Sequence, residues 1–413
     1  MLNWAKQFST FCFLDNHGYR NHPQNIEWLL AAGKKRDIVA QSGNALSLLQ
    51  DFIDQKNSWL FGHLGFDLKN EIEGLTSKLP DRIGFPDLYF FEPEIIIRIH
   101  ENEMIIEGED PDRIYWEIMN TSIFNEQEIT GEIVIRQQLG KEEYISVIKK
   151  LQQHILRGDC YEINFCQEFF AENAHINPVT VYKNLSKISP NPFSALYRIE
   201  DKWLICASPE RFLKKRENKI ISQPIKGTIK RIGNKDEQSR HELLWSAKDR
   251  SENVMVVDLV RNDLAKVCKA GSISVDELFG VYTFPQVHHL ISTISGELKT
   301  SINFSDTIRA AFPMGSMTGA PKRSVMQLIE QYEKTKRGIF SGALGYISPE
   351  DSQPEAGADF DFNVVIRSIM YNASDSVLSF QAGSGITFYS EAEKEWEECL
   401  LKANAIRKVL AGR

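Results

Sequence analysis

Between residues 141 and 157, apolar side chains recur at spacings of three and four: Tyr144, Val147, Ile148, Leu151 and Ile155. That period predicts an amphipathic helix with one buried stripe, and Gly158 suits its stop. Pro321 predicts the opening of a second helix, with Val325, Leu328, Ile329 and Tyr332 on one face. A third closes the chain. There Ser390 and Glu393 have capping-box spacing, and Trp396, Cys399, Leu400, Ala403 and Leu410 make the apolar stripe. Apolar and β-branched runs at 160–170, 203–207, 364–371 and 377–382 predict strands. Strands and helices do not alternate regularly, which favours a mixed α+β fold over a doubly wound sheet.

The chain has 413 residues, enough for two or three domains or one large enzyme fold. An acidic, weakly periodic stretch at 101–132 is the sharpest change in composition. It divides a smaller N-terminal region, 1–120, from a denser part, 138–409, and the two can still form one compact unit. With 42% hydrophobic and 25% charged residues, the composition excludes disorder and fibrous repeats. Lys and Arg total 48 against 56 Asp and Glu, a net charge of −8 without a basic run. Nucleic acid and anionic membranes are therefore poor partners. No apolar run approaches the ~20 residues of a membrane span, and polar residues interrupt any signal core near the N-terminus. A soluble, cytoplasmic protein is expected. The six cysteines, Cys12, Cys160, Cys166, Cys206, Cys268 and Cys399, show neither metal spacing nor a nucleophile-elbow context, and read as buried thiols.

Several strings and single residues can carry chemistry. In PIKGT (224–228), Lys226 is either a solvated turn lysine or a lysine facing a pocket. In the second case desolvation would lower its pKa and make the neutral amine nucleophilic. On the terminal helix, Glu395, Glu398 and Lys402 share a face. Either Glu398 pairs with Lys402 at i, i+4, or the two carboxylates join Glu252 of another helix around Mg²⁺. GSMTGAPK (315–322) and GSG (383–385) offer backbone N–H groups of the kind that bind anions, or are ordinary tight turns. Arg367, inside an apolar run, must meet a structural or a ligand carboxylate. His289 is either a satisfied core histidine or a site residue.

Taken in order, these strings resemble the chorismate-utilising enzymes, a family that includes anthranilate, aminodeoxychorismate, isochorismate and salicylate synthases. GDCYEINF (158–165), SPERFL (208–213), PIKGT, SENVMVVDLVRNDL (251–264), HLISTISG (289–296), FPMGSMTGAPK (312–322), RGIFSGALGY (337–346), VVIRS (364–368) and AGSGI (382–386) follow the family's order. SWLFGHLGFDL (58–68) resembles its glycine-rich N-terminal strand pair. The resemblance implies two large, mostly antiparallel sheets packed as a sandwich with helices outside, and a site between them.

Within the family, aminodeoxychorismate synthases carry lysine in the middle of PIxGT and anthranilate synthases carry alanine. Lys226 therefore implies amination of chorismate at C4 through a covalent lysine intermediate, on the route to para-aminobenzoate and folate. The alternatives are an anthranilate synthase, aminating at C2 with loss of pyruvate, and a non-catalytic chorismate-binding relative. The intact Lys226, three glutamates and Arg367 argue against the last. By the same resemblance Glu252, Glu395 and Glu398 hold Mg²⁺. Arg367, Gly383 and Gly385 hold the enolpyruvyl carboxylate, while Thr318 and Gly319 lie beside the ring carboxylate. His289 and Lys402 stand near the leaving group and metal, and Glu210 lies close by.

One departure matters most. Glu162 stands where amidating members commonly have glutamine and isochorismate-forming members a lysine base, so water addition at C2 is not expected. A carboxylate there must be protonated or paired. Met314 replaces a frequent glycine and Phe340 a frequent tyrosine. No Leu-Leu-Glu-Ser element of a tryptophan feedback site is found, only Ser47-Leu48-Leu49-Gln50. The synthase strings run nearly to Arg413, leaving no room for a glutaminase domain or a lyase. A separate glutamine amidotransferase subunit is the expected partner.

Overall fold

The computed structural model describes residues 1–19, 27–101, 103–121, 133–349 and 357–411. Of the acidic stretch at 101–132, residue 102 and residues 122–132 lie outside the described residues. Among the described residues the strands form two sheets, of eleven and ten strands, whose strand pairs are antiparallel. The fold is the expected α+β sandwich. Strands from the first 120 residues enter both sheets: Thr10–Asp15, Trp28–Ala32 and Ile95–His100 the first, and Arg36–Ala40, Leu60–Leu64 and Leu88–Glu92 the second.

The strand Glu162–Ala171 shows how the layers are specified. All ten of its residues are buried. Successive side chains on a strand point to opposite faces. Ile163, Phe165, Phe169 and Ala171 accordingly join the apolar core beneath the helices, and Cys166 joins the core between the sheets. Glu162, Asn164 and Glu168 share the face of Cys166.

The helix Lys141–Arg157 has the predicted bounds. Gly158, at φ +83°, ends it, with the N–H groups of Gly158 and Asp159 donating to Ile155 O and His154 O. Its Tyr144 ring meets Phe165 at 5.4 Å and Trp396 of the terminal helix Ala392–Leu410 at 5.3 Å. Aromatic pairs at such distances fix the helix against the sheet. The second predicted helix is Lys322–Tyr332, with Pro321 as its cap.

Three local expectations are corrected. The run 364–371 is two strands, Phe360–Val364 and Ser368–Asn372, in different sheets, because the chain turns a corner through Arg367 at φ +51°. Burial on both sides of the corner keeps the run apolar and hides the break. Ser390 does not cap the terminal helix: its Oγ accepts from the N–H of Thr387. Gly383 and Gly385 belong to the strand Val377–Ile386, not to a loop. A Cβ on Gly383 would lie 1.9 Å from Phe165 O, so glycine here serves close approach of two backbones rather than a turn. Among the described residues no helix is long and apolar enough to cross a membrane.

Candidate active site

Lys226 lies on the strand Ile225–Lys230, at one end of the second sheet, rather than on a turn. The pairing of this strand with Val287–Glu297 slips between Ile225 and Thr228, and Gly227 takes φ +96°. Such a bulge re-aims a side chain. Lys226 Nζ donates to Glu162 Oε1 of the first sheet, so this ion pair bridges the two sheets. The side chains are only 10% and 2% exposed. A Cβ on Gly385 would lie 2.8 Å from Lys226 Nζ and 2.6 Å from Glu162 Oε1, so Lys226, Glu162 and Gly385 meet at one point.

The electrostatics reverse one expectation. Burial alone would lower the pKa of Lys226, but Glu162 and Glu252 outweigh it and hold the ammonium above its ordinary value. Glu162 is thereby paired, as a carboxylate in that position requires, although its Oε2 is buried with no hydrogen-bond partner. Glu210 is buried and accepts from Ser316 Oγ at 2.6 Å. Burial pushes its pKa up to about 7, against the pull of Ser316 and Lys226. Glu252, on the helix Ala247–Val267, is likewise pushed by burial to about 7, with Lys226 pulling the other way.

Glu395 Oε2 accepts from Ser384 Oγ at 2.5 Å, which ties the terminal helix to the strand carrying Gly383 and Gly385. Glu398 pairs with Lys402 at 2.9 Å, the i, i+4 pair foreseen above. Burial raises the pKa of Glu398, and Lys402 more than offsets the rise. Lys402 Nζ also donates to Gly383 O at 2.7 Å. Among the described residues no three His, Cys, Asp or Glu side chains converge tightly enough to form a cation cage. Lys248 stands among the glutamates instead, 3.9 Å from Glu252 Oε1 and 3.8 Å from Glu395 Oε1. The donor set is all carboxylate, which suits a hard divalent ion, and Glu252 Oε1 is buried without a hydrogen bond.

Arg367 Nη2 lies 3.0 Å from His289 Nε2, and His289 Nδ1 lies 2.8 Å from Thr228 Oγ1. Arginine can only donate, so Nε2 accepts and the ring proton sits on Nδ1. Burial first, then Arg367, drives the His289 pKa well down, so the ring is neutral. Among the described residues Arg367 has no carboxylate within ion-pair distance, and Glu210 is the acid whose field reaches it. Its guanidinium is hydrogen-bonded to a neutral histidine rather than paired with an acid.

Thr318 ends a loop and Gly319 opens the two-residue strand Gly319–Ala320, which pairs with the strand Glu162–Ala171. The N–H of Asn164 donates to Thr318 O at 2.7 Å, and Asn164 Nδ2 donates to Ser316 O at 3.0 Å. Gly319, at φ +136°, passes so near the neighbouring strand that a Cβ would lie 2.1 Å from Glu162 O. Arg337 is buried beneath this junction. It donates to Met317 O at 2.7 Å, to Asn164 O at 2.8 Å and to both oxygens of Glu333.

The fold therefore gathers Lys226, Glu162, Gly385, Glu210 and Glu252 within reach of one another's charges or atoms. His289 and Arg367 adjoin through Thr228 of the same strand as Lys226. Glu395, Glu398, Lys402 and Gly383 form the terminal-helix side. Reading the sequence missed Lys248, Ser316, Ser384 and the Glu333–Arg337 pair. Lys248 and Arg337 each carried a signal, i, i+4 spacing to Glu252 and Glu333, and Ser316 and Ser384 lie inside the two glycine-rich strings. A separate cavity of about 200 Å³ between the sheets, lined by residues including Asp15, Trp59, Phe193, Lys214 and Asp361, contains none of the site residues.

The family described as chorismate binding enzyme matches residues 12–408. Aminodeoxychorismate synthase component 1 of Escherichia coli is 34% identical over 453 residues, covering 99% of this chain and 97% of that protein. Anthranilate synthase component 1 of Aquifex aeolicus is 32% identical, covering 85% and 74% respectively. Among solved structures, anthranilate synthase component I from Streptococcus pneumoniae superposes with a TM-score of 0.82 at 24% identity, covering 93% of this chain and 92% of that one. The menaquinone-specific isochorismate synthase from Escherichia coli superposes at 0.78 and 17% identity, covering 99% and 91%. These two structures speak for the fold. With the family matched over nearly its whole length, the chain belongs to the chorismate binding enzymes.

Proposed function

We propose that the chain aminates chorismate with ammonia at C4, giving 4-amino-4-deoxychorismate on the route to para-aminobenzoate. The observation that carries this reading is the amine of Lys226, buried between the sheets against Glu162 and Gly385. Anthranilate chemistry at C2 gives no role to a nucleophile there. Substitution at C4 must expel a hydroxyl, and a covalent intermediate divides that step into two easier ones.

Lys226 rests as an ammonium, so a proton must first leave Nζ. Glu162 Oε1 is the acceptor already in contact. The freed amine attacks C2 of the ring. The two ring double bonds shift, and the C4 hydroxyl departs as water with a proton from Glu210, which burial keeps partly protonated near neutrality. Ammonia then attacks C4, the double bonds return, and the lysine leaves as an amine. Arg367 binds the enolpyruvyl carboxylate, with the Gly383–Gly385 backbone beside it; this strand pairs with Ser368–Asn372 only as far as Ser379. Neutral His289 orients the guanidinium through its Nε2. Thr318 and Gly319 flank the ring carboxylate, and Lys402 holds Glu398 and Gly383 in place.

Glu252, Glu395 and Glu398 would hold Mg²⁺, which when bound withdraws charge from the ring carboxylate and eases loss of the hydroxyl. Glu252→Ala and Glu398→Ala are each expected to raise the Mg²⁺ concentration for half-maximal rate at least about tenfold. Glu395, already bonded to Ser384, ranks below them. Unchanged Mg²⁺ titrations in both variants would place the ligands elsewhere.

Ammonia is expected from a separate glutamine amidotransferase subunit. Releasing it from glutamine requires an activated nucleophile, and burial pushes all six thiols up, away from reactivity. Six free, buried cysteines also suit the reducing cytoplasm. The decisive experiment is mass spectrometry of the products from chorismate, Mg²⁺ and an ammonium salt. Aminodeoxychorismate is expected, with a rate rising with pH as ammonium gives way to ammonia. Glutamine should give essentially no product until the partner is added. Pyruvate and anthranilate would overturn the assignment; glutamine-driven turnover by the chain alone would overturn the partner.

A further inference from the structure

The three glutamates assigned to Mg²⁺ already share a cation, Lys248. Its Nζ lies 3.9 Å from Glu252 Oε1 and 3.8 Å from Glu395 Oε1. Glu395 and Glu252 are 3% and 13% exposed, whereas Lys248 is 53% exposed. The two carboxylates lie in the interior, while the lysine has one side in water.

Helix energetics do not account for this placement. Lys248 sits in the first turn of Ala247–Val267, facing the positive end of the helix dipole, where a cation is disfavoured. Its order with Glu252, lysine four residues before glutamate, is the weaker of the two i, i+4 arrangements. What holds it there is carboxylate charge: Glu252 of its own helix, with an oxygen that has no hydrogen bond, and from the terminal helix Glu395 in direct reach and Glu398 through its field.

We propose that Lys248 is an internal counter-cation, occupying the space between Glu252 and Glu395 until a divalent ion displaces it. The inference rests on the metal reading given above. In the metal-free chain the ammonium keeps the buried carboxylates from repelling one another. When the ion enters, two charges replace one. The lysine, on a four-carbon stem with one side in water, swings out. Lys248 is thus a positioning residue that weakens metal binding in the absence of substrate while keeping the ligands in place.

The test is direct binding of Mg²⁺, by calorimetry without chorismate, to the full chain and to Lys248→Met, Lys248→Arg and Glu252→Ala. Lys248→Met should bind with a Kd about tenfold lower, the scale of one or two partly exposed ion pairs. Lys248→Arg, which keeps the charge, should return the Kd towards that of the unaltered chain. In the unaltered chain, Mg²⁺ should also increase acylation of the Lys248 amine by an amine-directed reagent, read by peptide mass spectrometry. Equal or weaker binding by a folded Lys248→Met overturns the proposal, as does labelling that ignores Mg²⁺. Should Lys248→Met fail to fold, the labelling decides alone. Binding that is lost in Glu252→Ala but unchanged in Lys248→Met removes the lysine's role and leaves the ligands standing. No binding by either the unaltered chain or Lys248→Met removes both.

Discussion

Lys226→Ala is expected to lose aminodeoxychorismate formation by at least about a hundredfold, the scale on which a positioned reacting side chain acts. Chorismate binding, measured by calorimetry, should change only a few-fold, because the carboxylate contacts proposed for Arg367 and the loop at Thr318 would remain. The variant also strips the cation from Glu162 and Glu252, so lost charge must be separated from lost nucleophile. Lys226→Arg does this: it restores a cation beside Glu162 but not an amine, and should stay as inactive as alanine. A covalent adduct of mass corresponding to substrate minus water, trapped on the unaltered chain and absent from both variants, would complete the case. Near-normal product formation by Lys226→Ala would end the nucleophile role and leave the choice of branch with little support.

Arg337→Met is expected to be the most damaging change to stability, about 3–5 kcal/mol, the usual result of stranding one partner of a buried ion pair. Arg337 and Glu333 have side chains only 1% and 3% exposed. The guanidinium also satisfies the carbonyls of Met317 and Asn164, while Glu333 Oε1 accepts the N–H of Cys166. One arginine therefore locks the Thr318 loop, the Glu162 strand and the Glu333 helix end together. Urea denaturation should show a lower midpoint. Replacing both partners, Arg337→Met with Glu333→Leu, should recover much of the loss, since no charge is then left buried. A single variant within about 1 kcal/mol of the unaltered chain would refute the locking role. Surviving Arg337→Met protein should also show a raised KM for chorismate, because the loop proposed to flank the ring carboxylate is loosened.

Period and motif carried different parts of the structure. The helix at 141–157 could be read directly, because a single buried stripe and a terminal glycine specify it locally. The α+β class followed from irregular alternation, but the two-sheet sandwich came from the resemblance, since strand order is set by pairings far apart in sequence. The corner at Arg367 was invisible: both flanking strands are buried, so the apolar run never breaks. The glycines at 383 and 385 suggested an anion-binding loop or a tight turn, whereas in the strand the Phe165 backbone crowds one and the Lys226 and Glu162 side chains the other. The direction of the Lys226 shift was misjudged for a similar reason. Burial was one of two readings the motif left open, but the surrounding carboxylates come from three other segments, and only the fold brings their charge to one amine.

The strand Glu162–Ala171 pairs with Val377–Ile386, setting Cys166 opposite Gly383 and Asn164 opposite Gly385. More than half the chain separates these partners, and closing so long a loop costs entropy before any contact rewards it. Local helices such as Lys141–Arg157 can form early, yet the cleft that holds Lys226 exists only after this late pairing. Until then a strand built of Ile163, Phe165, Cys166 and Phe169 has an unpaired edge, the kind of surface through which partly folded chains associate. The architecture that brings distant acids onto one lysine also makes the candidate site depend on pairings between distant parts of the chain.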